Sequence, residues 1–162
     1  TGSHATTRLC LTALERAVHG GERVLDLGCG SGILSIAALT LGAASAAAVD
    51  IDDKCLTVAY ENAALNGIGR DRYTVLVGDA VSDRALKAQL GGGYDIVVAN
   101  IVADVIIGLA PSVRQFLKPG GLFLCSGIID TRADEVADAL RHAGWTIEDT
   151  RSGEGWYSYT CR

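Results

Sequence analysis

Residues 23–41, RVLDLGCGSGILSIAALTL, carry the reading from which the fold follows. Val24, Leu25 and Leu27 form a short apolar run that predicts a strand over Arg23–Leu27. Gly28, Gly30 and Gly32 then alternate through the next five residues. Glycines there let the backbone turn tightly and approach a ligand with no side chain in the way. Residues 33–41 read as a helix, with Gly42 as its stop. A strand entering a helix through such a loop exposes N–H groups at the helix start, which favour an anionic or polar ligand. A tight structural turn is the alternative reading. The third glycine follows the second by two residues, whereas the dinucleotide fingerprint requires three and would need glycine where Ile33 stands.

Outward from this stretch, strand and helix alternate. Residues 6–19 predict a helix capped by Thr6 or Thr7. Further strands are predicted at 46–49, Tyr73–Val77, 94–99 and 122–126, and helices at 53–66, 82–90, 103–117 and 131–143. The last of these helices opens on a capping box from Thr131 to Asp134. Lys118-Pro119-Gly120-Gly121 reads as a turn with no chemistry. A final pair of strands, 145–149 and Trp156–Cys161, flanks a turn at 152–155. The pattern predicts an α/β fold: a mostly parallel seven-stranded sheet with helices on both faces and one antiparallel strand near the end. The early strands are continuous apolar runs, as strands buried on both faces require.

The 162 residues fit one domain, 1–162, with a full core. Hydrophobic residues make up 49% and charged residues 20%, an ordinary globular balance. Apolar runs fall well short of the roughly 20 residues that span a membrane, and no secretory signal is visible. The net charge is −5 and no Lys/Arg cluster occurs, which argues against a nucleic acid as the direct partner. Five cysteines, an odd count with no C-x-x-C pair, argue against a disulfide framework or a zinc site and suit a reducing, cytoplasmic setting.

Three strand ends carry candidate chemistry. Asp50 closes the second strand, where a carboxylate can accept both hydroxyls of a ribose; Asp52, two residues on, competes for that role, and either can instead cap the next helix. Gly78-Asp79-Ala80 closes the third strand. Asn100 closes the fourth, and its side-chain oxygen can accept a hydrogen bond from an amine and aim the lone pair. A turn-forming Asn is the structural alternative.

The chain as a whole resembles a known family. Leu25-Asp26-Leu27-Gly28-Cys29-Gly30-Ser31-Gly32 resembles motif I of the class I S-adenosylmethionine-dependent methyltransferases, Rossmann-like enzymes. Thr1-Gly2-Ser3-His4-Ala5-Thr6-Thr7, Val49-Asp50-Ile51-Asp52, Ala99-Asn100-Ile101-Val102 and Ser126-Gly127-Ile128 are similar to one branch of it, the PrmA family, which methylates the ribosomal stalk protein L-eleven. The resemblance implies that Thr7, Asp26, Gly28, Gly30, Gly32, Asp50, Ile51, Asp79, Ala80 and Asn100 bind S-adenosylmethionine. It implies that Thr7 lies in a segment folded over that cofactor, that Asp79 faces the adenine amino group, and that Asn100 is catalytic. No metal is implied. The implied activity is transfer of a methyl group to an amine nitrogen, lysine or N-terminal, of a ribosomal protein. A small-molecule acceptor is the nearest alternative; a nicotinamide-dependent oxidoreductase and a non-catalytic nucleotide-binding module are further ones. Ala5 replaces the proline usual in the N-terminal segment, and the family's N-terminal substrate-gripping domain is expected to lie outside this chain. The Asn-Pro-Pro-Tyr signature of many N-methyltransferases is not present after the fourth strand, which counts against a planar nucleobase acceptor.

Overall fold

The computed structural model describes residues 4–162; Thr1, Gly2 and Ser3 of the N-terminal segment lie outside the described residues. The chain runs α1 (His4–Ala17), β1 (Arg23–Leu27), α2 (Ile33–Thr40), β2 (Ser45–Asp50), α3 (Lys54–Leu65), β3 (Tyr73–Val77), α4 (Arg84–Leu90), β4 (Tyr94–Asn100), α5 (Ala103–Leu109), β5 (Leu117–Ile129), α6 (Ala133–His142), β6 (Ile147–Gly153) and β7 (Trp156–Cys161). The strands form one sheet in the order β3-β2-β1-β4-β5-β7-β6. β1 to β5 pair in parallel, while β7 runs antiparallel to both β5 and β6. The sheet is therefore mixed, as the terminal pair of strands predicts.

Alternate side chains enter two cores, as the period of a strand dictates. Leu25, Leu27, Ala47, Val49, Val97, Ala99 and Phe123 enter the core beneath α4, α5 and α6. Val24, Ala46, Ala48, Ile96, Val98 and Leu124 enter the core beneath α1, α2 and α3. Full burial of each large apolar side chain stabilises by about 1.5–3 kcal/mol. The strand order reverses at β1, with β2 and β3 on one side and β4 and β5 on the other. Such a switch point opens a crevice at the carboxyl ends of the central strands. Among the described residues, no helix is long and apolar enough to cross a membrane.

Five local expectations need correction. The helix expected to start at a Thr6 or Thr7 cap starts at His4, so both threonines lie inside its first turn; Thr6 is fully buried there. The helix expected over 103–117 ends at Leu109, and a 3₁₀ turn follows at Val113–Phe116. Pro111 is the cause: it has no N–H to donate and its ring crowds the carbonyl four residues back. Lys118 to Gly121 is not a turn before β5 but an irregularity inside it. β5 meets β4 at Tyr94↔Leu117, breaks register, and resumes at Ile96↔Leu122. The capping box at Thr131 does not form. Asp130–Arg132 is a 3₁₀ turn, α6 has no side-chain cap, and the Arg132 guanidinium instead pairs with Asp104 and Glu135. The following strand also starts later than 145, because Trp145 is buried against Phe123 and donates its indole N–H to the Ala110 carbonyl at 2.9 Å.

Candidate active site

A cavity of about 570 Å³ opens at the carboxyl ends of β1, β2, β3 and β4. That size lies within the usual range for small-molecule sites, roughly 300–1,000 Å³. Eight of the ten residues singled out from the sequence line it: Thr7, Gly28, Gly30, Asp50, Ile51, Asp79, Ala80 and Asn100. Asp26 and Gly32 do not line it and stand behind the glycine loop.

The loop is held by the strand beside it. The N–H groups of Gly28 and Cys29 both donate to the Val49 carbonyl, at 2.8 and 3.0 Å. Gly28 has φ +75°, and a Cβ there would lie 2.5 Å from the Ile101 side chain. The glycine therefore lets the end of β4 close against the loop. A Cβ at Gly30 would meet nothing within 4 Å, so the loop faces open space at its middle. A Cβ at Gly32 would meet the Tyr73 hydroxyl at 2.7 Å, which makes Gly32 a packing position at the entry to α2.

The two competing carboxylates separate cleanly. Asp50 ends β2 half-buried in the cavity wall, where one oxygen accepts from the Gly30 N–H at 2.9 Å and the other from the Asp52 N–H at 3.0 Å. Each carboxylate oxygen has a further lone pair, so the group is fixed in place and still able to accept two hydroxyls. Asp52 accepts from the Lys54 N–H at 3.0 Å, at the start of α3, and does not line the cavity. Asp79 accepts from the Val81 N–H at 2.8 Å in its own turn, which fixes its carboxylate at the end of β3.

Asp26 has another role. Strand alternation points it under α2, where it is 1% exposed and accepts from the Ser35 N–H at 3.2 Å. Its other oxygen is buried with no hydrogen-bond partner among the described residues. Burial pushes its pKa up to about 7; the hydrogen bonds from Ser35 pull the other way, and the nearby Asp50 charge adds to the rise.

Sequence reading missed the apolar wall, including Ile101, Val105 and Leu109. The i, i+4 spacing of Val105 and Leu109 was an available signal that one face of α5 lines the site.

Comparison with known proteins shows the family of the chain. The sequence model of the family described as Ribosomal protein L11 methyltransferase (PrmA) matches residues 1–162. The chain is similar to the Ribosomal protein L11 methyltransferase of Lachnoclostridium phytofermentans, 38% identical over 176 residues, covering 100% of this chain and 53% of that protein. The chain thus spans about half the length of the curated relatives it matches. Among solved structures it is similar to the ribosomal protein L11 methylase of Lactobacillus delbrueckii subsp. bulgaricus, with a TM-score of 0.90 and 34% identity over 100% of this chain and 80% of that one. An RNA methyltransferase from Salinibacter ruber, solved in complex with S-adenosyl-L-homocysteine, shares the fold at TM-score 0.71 and 19% identity, with 94% of this chain and 89% of that one covered.

Proposed function

Since the chain belongs to the ribosomal protein L11 methyltransferase (PrmA) family, we propose that residues 1–162 form one methyltransferase domain that transfers a methyl group from S-adenosylmethionine to an amine nitrogen of a ribosomal protein. The observation that carries this reading is the single cavity wall in which Gly30, Asp50, Asp79 and Asn100 come together at four successive strand ends. These residues fit the cofactor. The open space at Gly30 admits a ligand to the loop, and the fixed Asp50 carboxylate suits the two hydroxyls of a ribose. Asp79, held at the cavity wall by the Val81 N–H, offers a carboxylate for the adenine amino group. A ribosomal acceptor places the reaction in the cytoplasm.

Bound S-adenosylmethionine supplies an electrophilic methyl group on a sulfonium. The domain's own contribution is chiefly positioning of the two reactants. An amine attacks only through its lone pair, so a lysine side chain, with a pKa of about 10.4, must first lose a proton. Asn100 closes β4 at the cavity wall, between the ligand side and the apolar face of α5. Its amide oxygen is buried against Gly127 in this structure, so the amide must turn to present that oxygen to the cavity, where it accepts an N–H of the neutral amine and aims the lone pair. An amide does not titrate, so it holds the amine without competing for its proton.

Calorimetric titration with S-adenosylmethionine, S-adenosylhomocysteine and NAD, run in parallel, tests the cofactor. Saturable binding of the first two alone is expected; binding of NAD alone, or of none, overturns the reading. Mass spectrometry of the ribosomal stalk protein after incubation tests the acceptor. Asn100→Ala is expected to lower turnover by about tenfold, some 1.4 kcal/mol of barrier, with a change in cofactor affinity of less than about threefold. Equal loss of both would remove Asn100 from the acceptor side.

A further inference from the structure

We propose that Ser126 is a positioning residue that holds two walls of the cavity in register, the first turn of α1 and the end of β4, although it does not itself line the cavity. The proposal rests on the reading of the cavity as the S-adenosylmethionine site. Ser126 pairs with Asn100 across β5 and β4. Its carbonyl accepts from the Ile101 N–H at 3.1 Å, which fixes the chain just past Asn100. Its hydroxyl donates to the Thr6 carbonyl at 3.2 Å, across 120 residues of sequence. Ser126 and Thr6 are both fully buried, so water cannot replace either bond.

The geometry of α1 explains the consequence for the site. Successive helical residues point about 100° apart, so Thr6 turns inward against β5 while Thr7 turns into the cavity. The Ser126 hydroxyl therefore sets the height of Thr7 over the loop. The next residue reinforces the other wall. Gly127 has φ +87°, and a Cβ there would lie 2.6 Å from the Ile101 carbonyl oxygen and 3.0 Å from Asn100 Oδ1. The close passage of β5 behind Asn100 is thus available only to glycine. Ser126 and Gly127 together brace Asn100 from behind, and Ser126 ties that brace to the first turn of α1, next to Thr7.

The test is a double-mutant cycle on S-adenosylhomocysteine affinity, read by calorimetry well below the melting temperature of each variant. Ser126→Ala is expected to weaken binding by about tenfold, through displacement of Thr7 from its place over the loop. Thr7→Val removes the hydroxyl that Ser126 positions while keeping the side chain's shape. In the double variant the Ser126→Ala effect is expected to vanish, because the group it positions has gone. An affinity for Ser126→Ala within about twofold of the parent overturns the proposal, and so do additive effects, which would mark a general loosening of the fold. Ser126→Cys keeps the volume with a weaker donor, and replaces Ser126→Ala in the cycle should that variant not fold. A parent protein that binds no S-adenosylhomocysteine overturns the cofactor reading first and this proposal with it, whereas a binding parent with an unaffected variant overturns this proposal alone.

Discussion

Asp50→Ala should weaken S-adenosylmethionine binding by about 100-fold. The magnitude follows from two hydroxyl hydrogen bonds to a charged acceptor, at about 1.5 kcal/mol or more each, with a tenfold change in affinity for every 1.4 kcal/mol. The carboxylate is already held by the N–H groups of Gly30 and Asp52, so little ordering remains to be done when a ligand arrives. Its loss also frees the Gly30 N–H, which loosens the middle of the glycine loop. The control is Asp52→Ala. That carboxylate serves the start of α3 and stands outside the cavity, so affinity should change by less than about threefold. Calorimetry on the two variants decides between the carboxylates. Comparable losses in both would mean that the loop, not the ribose contact, is what the substitution disturbs.

Asp26→Asn should change how stability depends on pH. The folded protein raises the Asp26 pKa from 3.8 to about 7, so between those values the native state holds a proton that the unfolded chain has released. Stability from this group is present below pH 3.8 and is lost as pH rises through 7. The shift corresponds to about 4 kcal/mol, as an order of magnitude, at about 1.36 kcal/mol per pKa unit. Asparagine has nearly the same shape and no charge to bury. Chemical denaturation from pH 5 to pH 8 should therefore show the parent losing stability relative to Asp26→Asn, with the gap widening until about pH 7 and then constant. Parallel curves would mean that the buried carboxylate keeps an ordinary pKa.

Much of this architecture was legible in the chain. The bounds of β1, β3 and β7 fall where the apolar runs place them, because charged or glycine residues bracket each run. The helix ends were less legible. Thr131 and Asp134 have the spacing of a capping box, yet the chain passes through a 3₁₀ turn at Asp130–Arg132 first, and Arg132 pairs across the fold with Asp104. Thr6 looked like a cap and lies inside a helix turn, because β5 offers it a buried hydrogen bond that no local pattern encodes. The same holds for the site. Asp50, Asp79 and Asn100 could be read as strand-end residues because each sits next to an apolar run. That Asp26 points away from the cavity follows from strand parity alone, since it shares a face with Val24. The tie from Ser126 to α1 had no such signal, because its two ends meet only after the sheet has formed.

The place of β7 has a consequence for how the protein is born. β6 is made before β7, yet it joins the sheet only through β7, which lies between it and β5. While the chain is being synthesised, β5 presents an open strand edge, and Ile147–Gly153 has no partner, until Trp156–Cys161 has left the ribosome. The Glu154-Gly155 turn, with φ +53° and +82°, has the mirror-type geometry suited to a tight hairpin, so the last two strands can zip locally and dock as one unit. An unpaired edge is an aggregation hazard in the interval before docking. Nascent chains stalled short of Trp156 should accordingly be the ones that need chaperones.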